Sequence, residues 1–406
     1  MANNNLKIKK TNTSDFSVTY KLNKKEGVFN WYPYTEGFSK SFVDRMIEHF
    51  NIDKKHLVLD PFGGCGTTTL SCFLKEIPSM SIEVNPFMNF ILKSKVESLK
   101  INPNRLDSAY KELKLLIKKE DSPEISSFLR DKDFINIDNL KQALKIKNSI
   151  NKLESQNNIK NFFLLQLSSI IVKISNMIRA TDLRYRKEHQ GKLDVNKIFF
   201  EKVEKALNDL KQIKISKSPE VHFINSDTRN LSENARKFLG KVDFFITSPP
   251  YLNGTNYERN TKLEMAFLDF IKEDSDLRRL RDNMITAGIN STKSKDKEGY
   301  NLDFLKPLIN KVEEKAYDKR IPLMVEGYFN DMNLALKNIH NLMKKKGKGV
   351  IVIGDSQFGG VHIETDLILA KLCELNNLKV MSIESVRKRR SKNGMELRES
   401  LIFVEK

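Results

Sequence analysis

The sequence predicts an α/β fold, an open and mostly parallel sheet with helices on both faces. Three observations carry this. Short apolar runs recur along the chain, most with β-branched residues and turn residues nearby, as strands buried on both faces should be. Helical patterns lie between most of these runs. The first run leads straight into a glycine-rich turn and a helix, Asp60-Pro61-Phe62-Gly63-Gly64-Cys65-Gly66-Thr67-Thr68.

Residues 1–28 are polar, rich in Asn, Lys and Thr, and read as a flexible N-terminal arm. An aromatic cluster follows, Phe29, Trp31, Tyr32, Tyr34 and Phe38. The stripe Phe42, Val43, Met46, Ile47 and Phe50 then predicts a helix packed on a core. Strands are expected at 57–60, 80–83, 221–225, 242–246 and 349–354, and two more near 379–384 and 400–404. Helices are expected at 331–343 and 365–375. Two stretches interrupt the alternation. Residues 101–217 are almost wholly helical in pattern, with little Gly or Pro and a basic excess. Residues 273–324 form a second charged insertion. Neither has the character of a structureless loop.

The chain has 406 residues, 39% hydrophobic and 30% charged, enough for one large core or two ordinary domains. Its longest nearly apolar stretch, 162–172, is far too short to span a membrane. No apolar run with a cleavage site opens the chain, so secretion is not expected. Three cysteines without paired spacing support neither a disulfide framework nor a zinc cluster, and no metal is expected. A reducing, cytoplasmic setting follows. The net charge of +18 points to a polyanion, with nucleic acid the leading candidate.

The glycine turn joins a strand to a helix, which makes a nucleotide-type site. Its glycines let the backbone approach a ligand, and the helix N-terminus offers N–H donors to an anionic group. A phosphate-binding P-loop is disfavoured, because no Gly-Lys-Ser/Thr ending is present. A dinucleotide fingerprint is poor, because Thr69 stands where the third glycine would be. Glu83, followed by Asn85-Pro86, ends the second strand, where an acid accepts hydrogen bonds from ribose hydroxyls. By itself Glu83 reads equally well as a solvated strand end. Ser226-Asp227 ends the third strand. Three polar features on one sheet edge make a site for an adenosine-containing cofactor.

The fourth strand ends in Thr247-Ser248-Pro249-Pro250-Tyr251. Two prolines stop the ladder. The plain reading is a rigid turn with an exposed aromatic. The functional reading has Ser248 Oγ and the Pro249 carbonyl point together as acceptors for an exocyclic amino group, with the Tyr251 ring stacking on a base.

Together, the glycine turn after Asp60-Pro61-Phe62 and the later Thr-Ser-Pro-Pro-Tyr resemble the S-adenosylmethionine-dependent DNA amino-methyltransferases. These are the N4-cytosine and N6-adenine enzymes of restriction–modification systems. The resemblance covers 30–100, 220–270 and 325–406, and implies a Rossmann-like, seven-stranded, mostly parallel methyltransferase sheet with a helical insertion. Residues 29–100 would be the cofactor half of that core. Residues 218–272 would carry its catalytic turn and 325–406 its C-terminal strands. For the cofactor it implies Asp60, Pro61, Phe62, Gly63, Gly64, Gly66, Thr67, Glu83, Asn85 and Asp227. For catalysis it implies Ser248, Pro249, Pro250 and Tyr251. Serine at the Ser248 position is commoner among the family's N4-cytosine enzymes, so cytosine in double-stranded DNA is the expected target, with N6-adenine the alternative. A cognate restriction endonuclease is an expected partner. An RNA base methyltransferase and a silent nucleic-acid-binding relative are further alternatives. A carbon-5 cytosine enzyme is excluded more firmly: its family uses a Cys after Pro, and Cys65, Cys72 and Cys373 all lack that proline.

Residues 101–217 are the expected target-recognition region, and 252–324 competes for that role. Candidate DNA contacts are Arg179, Arg184, Tyr185, Arg186 and Lys187, with Arg387 and Arg389 in a second basic run.

Overall fold

Every strand of the central sheet but one runs in the same direction. The computed structural model describes residues 8–11, 16–121, 123–179, 183–292, 302–391 and 393–406. Among the described residues eight strands form the sheet, in chain order β1 (Ile8–Lys10), β2 (Val58–Asp60), β3 (Ser79–Ile82), β4 (Val221–Ile224), β5 (Val242–Thr247), β6 (Met343–Gly354), β7 (Lys379–Arg390) and β8 (Glu396–Glu405). Their spatial order is β1-β7-β8-β6-β5-β2-β3-β4, and only β8 is antiparallel to its neighbours. The seven expected strands are β2 to β8. The eighth, β1, lies within the arm and pairs with β7.

Period-two alternation sends successive side chains to opposite faces. Phe245, Ile351, Ile353 and Ile402 pack beneath the helices Arg320–Leu342 and Thr365–Leu375. Ile246, Val350, Val352 and Leu401 pack on the other face, against the helix Lys40–His49. That helix begins at Ser39, whose hydroxyl accepts the Phe42 N–H.

The helical insertion comprises Pro103–Lys119, Ile137–Lys152, Asn157–Ser168 and Val195–Gln212. Asn102, Asn136 and Asp194 cap three of them. Their apolar stripes, such as Leu106, Tyr110, Leu113 and Ile117, close a core shared with Trp31, Tyr32, Phe87 and Ile91. Trp31 meets Phe162 edge-on at 5.6 Å, and its indole N–H donates to Asp209 at 2.8 Å. The insertion is therefore anchored on the segment between the arm and the sheet.

The arm itself departs from expectation over its described part. Phe16, Val18 and Tyr20 are buried in alternation. The Tyr20 hydroxyl donates to the Phe29 carbonyl at 2.8 Å, and the Asn23 amide spans Phe38 and Lys40. The polar composition masks three apolar residues at a spacing of two, which is enough to pin 16–28 to the core. Residues 1–7 and 12–15 lie outside the described residues. No helix among the described residues is long and apolar enough to cross a membrane.

Candidate active site

The strand order reverses between β2 and β5, which run parallel, so the turns leaving them open on one crevice. The glycine turn leaves β2 and Ser248-Pro249-Pro250 leaves β5. The two are laced together. Asp60, buried at the end of β2, accepts the Thr247 hydroxyl at 2.7 Å and the Phe62 N–H at 3.1 Å. Thr68 donates to the Ile246 carbonyl at 3.2 Å. Burial pushes the Asp60 carboxyl up to about 6, against the pull of these donors.

Around the crevice lies a cleft of about 920 Å³, its open mouth included. Asp60, Pro61, Phe62, Gly63, Gly64, Thr67, Glu83, Asn85, Asp227, Ser248, Pro249 and Pro250 all line it. Two residues of the expected set, Gly66 and Tyr251, are not among those that line it. Gly66, at φ +86°, leads into the helix Thr67–Leu74, and a Cβ there would sit 2.8 Å from Leu92. Tyr251 packs its ring against Gly354, where a Cβ would come within 3.1 Å.

Glu83 takes the Gly64 N–H on one oxygen at 2.7 Å and the Asn85 N–H on the other at 2.8 Å. Burial raises its pKa to about 7, the two backbone donors opposing. Each oxygen keeps a lone pair for a hydroxyl donor. Asn85 caps the helix Pro86–Ser98 and donates to Thr261 at 2.9 Å. Asp227 lines the cleft, but its carboxylate is gripped by Arg229, whose Nη1 reaches Asp331 at 2.8 Å. A vicinal diol suits Glu83, an anionic group suits the start of the helix after Gly66, and the apolar walls Phe38, Met88 and Ile285 suit a ring. That donor set fits S-adenosylmethionine.

The Ser248-Pro249-Pro250-Tyr251 turn has a support that the sequence leaves unmarked. Tyr257, which lines the cleft, accepts the Tyr251 N–H on its hydroxyl at 2.9 Å. The Tyr251 hydroxyl donates to Glu399 at 2.9 Å. Other walls come from Glu36 and from 283–285, a short piece of the second insertion. No local pattern marks Glu36 or 283–285, because they meet the motifs only through the fold.

Of the candidate DNA contacts, Arg179 is engaged within the fold. Its guanidinium turns inward to Glu264, Tyr32 and the Asn260 carbonyl. Glu264 is buried, and a buried carboxylate requires such a partner. The strands Met177–Arg179 and Leu183–Tyr185 make a small hairpin rooted on this pair. Tyr185 is half exposed and stacks on Phe134, and its hydroxyl donates to the Lys132 carbonyl at 2.6 Å. Arg186 donates to the Ser175 carbonyl at 3.1 Å. Arg184 and Lys187 are exposed. Arg387 pairs with Glu399 at 3.3 Å, and Arg389 donates to the Asp355 carbonyl at 2.6 Å. Both therefore stand near the Ser248–Tyr251 turn.

No family model matches the chain. It is 26% identical to the type II methyltransferase M.BsoBI of Geobacillus stearothermophilus, over 94% of this chain and 84% of that protein. It is 25% identical to the type II methyltransferase M.AvaI of Anabaena variabilis, over 88% of this chain and 80% of that protein. A solved structure of an S-adenosylmethionine-dependent methyltransferase from Methanosarcina mazei aligns with 89% of this chain and 96% of that one. Its identity is 8% and its TM-score 0.32, too low to bear on the fold. In sequence, over most of its length, the chain is similar to these type II methyltransferases.

Proposed function

We propose that this chain transfers a methyl group from S-adenosylmethionine to the exocyclic N4 amino group of cytosine in double-stranded DNA, as the modification enzyme paired with a restriction endonuclease. The observation that carries this reading is the shared cleft. Gly63, Gly64 and Glu83 face the same space as Ser248, Pro249 and Pro250. The likeness to type II methyltransferases supports DNA as the substrate. The serine at 248 supports cytosine.

The bound cofactor supplies a sulfonium methyl electrophile. The chain's part is binding and orientation. An amino group on a base is a poor nucleophile, because its lone pair is delocalised into the ring. Ser248 Oγ and the Pro249 carbonyl accept its two N–H groups, favour a pyramidal nitrogen and stabilise the positive charge that develops there. The Asp60–Thr247 bond holds these acceptors at a fixed distance from the glycine turn, so in-line alignment is built into the sheet. No covalent intermediate on the protein is required. The base must leave the duplex at a cost of about a few kcal/mol, and stacking beside the turn offsets part of it.

The test uses the full chain, mixed-sequence duplex DNA and methyl-labelled S-adenosylmethionine, with the DNA digested to nucleosides and analysed by mass spectrometry. Label in N4-methylcytosine is expected. Label in N6-methyladenine would keep the mechanism and overturn the base. Label in RNA alone would overturn the substrate.

A further inference from the structure

Glu399 lies outside both the glycine turn and the Thr-Ser-Pro-Pro-Tyr turn and does not line the cleft, yet it touches the second of these turns. It is 6% exposed on β8. One carboxylate oxygen accepts the Tyr251 hydroxyl at 2.9 Å, and the other lies 3.3 Å from Arg387. In register, Arg387, Glu399 and Gly354 stand directly opposite one another on β7, β8 and β6. Tyr251 rests its ring on Gly354 at the end of that row. Arg389, on the same face of β7 as Arg387, is bonded to the Asp355 carbonyl. A single line of contacts thus crosses three strands at the carboxyl edge of the sheet, from a half-exposed cation to the reacting turn.

A buried carboxylate needs compensation, and here its two partners differ in kind. Tyr251 uses its single O–H donor on Glu399, which anchors the tip of the ring. Arg387 is 51% exposed in its side chain, and its guanidinium has donors beyond the one aimed at Glu399. Those donors match a phosphate group, the chemistry a DNA backbone presents next to an extruded base.

We propose that Glu399 is a positioning residue for methyl transfer, linking a phosphate contact at Arg387 to the orientation of the Tyr251 ring. The inference rests on the DNA reading above. Phosphate on Arg387 holds the guanidinium in place, the guanidinium holds Glu399, and Glu399 holds the ring on which the target base stacks. Binding the correct stretch of backbone therefore completes the base platform.

The experiment is a double-mutant cycle in the full chain, with the duplex that product analysis shows to be methylated. Tyr251→Phe, Glu399→Gln and their combination are compared by single-turnover methylation at saturating duplex, with S-adenosylmethionine affinity measured by calorimetry. Each single variant is expected to lose about ten-fold in rate, as for one charge-assisted hydrogen bond, with cofactor affinity within about two-fold of wild type. The double variant is expected to be no slower than either single one. Arg387→Gln should weaken duplex binding and lower its salt slope by about one, the mark of a lost phosphate contact. Losses that multiply in the double variant, or a wild-type rate for Glu399→Gln, overturn the proposal. Should Glu399→Gln fail to fold, Tyr251→Phe decides alone, since it removes one oxygen and keeps the ring. A wild-type rate there overturns the link. A wild-type protein that labels no DNA base would instead overturn the function itself, a separate outcome.

Discussion

Ser248 is half-buried at the end of a strand whose preceding residue is locked to Asp60, so its hydroxyl is held by a scaffold rather than by a mobile loop. Ser248→Ala removes one acceptor for the amino group and leaves that lock intact. Methyl transfer should fall by about a hundred-fold or more, the scale of losing one transition-state contact, while calorimetry shows cofactor affinity unchanged. Unchanged activity would remove Ser248 from the mechanism. Glu83 carries a different prediction. Its pKa is raised to about 7, and that of Asp60 to about 6, in both cases by burial. Raised carboxyl pKa values mean that the folded chain holds protons the unfolded chain has released. These two groups therefore favour folding at low pH, and that contribution is lost as pH rises from the ordinary carboxyl range to about 7. Cofactor binding runs the other way, because ribose hydroxyls donate to the ionised form. Affinity for S-adenosylmethionine should weaken as pH falls below about 7, with proton release on binding near pH 6.5. Calorimetry in buffers of different ionisation enthalpy measures that release, and Glu83→Gln should abolish it.

At the scale of elements, the hairpin around residues 177–185 shows why a basic cluster in the sequence does not translate directly into a basic surface. Arg179 and Arg184 read alike in one dimension. In the fold Arg179 neutralises buried Glu264, a residue on the helix Lys262–Phe267, and ties the hairpin to Tyr32. Arg184 points outward. Arg179→Met strands a carboxylate in the core, and such a loss costs about 3–5 kcal/mol. A clear drop in Tm is expected, and Arg184→Gln should leave Tm almost unmoved. Equal Tm values for the two variants would show that the Arg179–Glu264 pair carries no structural weight. The motif elements were legible for the opposite reason. The glycine turn and the Thr-Ser-Pro-Pro-Tyr turn are contiguous, each follows a short apolar strand, and parallel strands place both turns on one edge by necessity. The Arg229–Asp331 pair and the wall at 283–285 are each set by contacts between distant segments, and no local spacing announces them, whereas Tyr257 lies six residues past the Tyr251 it supports. The alternation of Phe16, Val18 and Tyr20 was visible but was outweighed by the polar residues around it.

Across the whole molecule the net charge of +18 and the division of the fold pose one question, namely which surface meets the polyanion. The helical insertion turns its apolar faces to a core shared with Trp31 and Phe87, which leaves most of its basic residues on the outside, Arg179 and Lys147 excepted. The cleft carries acids at its walls, Glu36, Asp60, Glu83 and Asp227, so the positive excess is not concentrated where the cofactor sits. Binding of the two ligands should therefore respond differently to salt. A protein that engages about six phosphates loses about a thousand-fold in duplex affinity between 50 and 200 mM salt, because each contact releases condensed counterions. Duplex binding by this chain should fall on that scale, while cofactor affinity measured in the same buffers changes by less than about two-fold. Arg184→Gln and Lys187→Gln should each lower the slope of log affinity against log salt by about one if the hairpin lies on the DNA. Arg387→Gln should do the same at the catalytic edge. A slope lowered only at Arg387 would place the duplex along β7 and leave the hairpin as surface. A flat response in the wild type would mean that the charge reflects composition, and that the affinity for DNA comes from contacts other than phosphates.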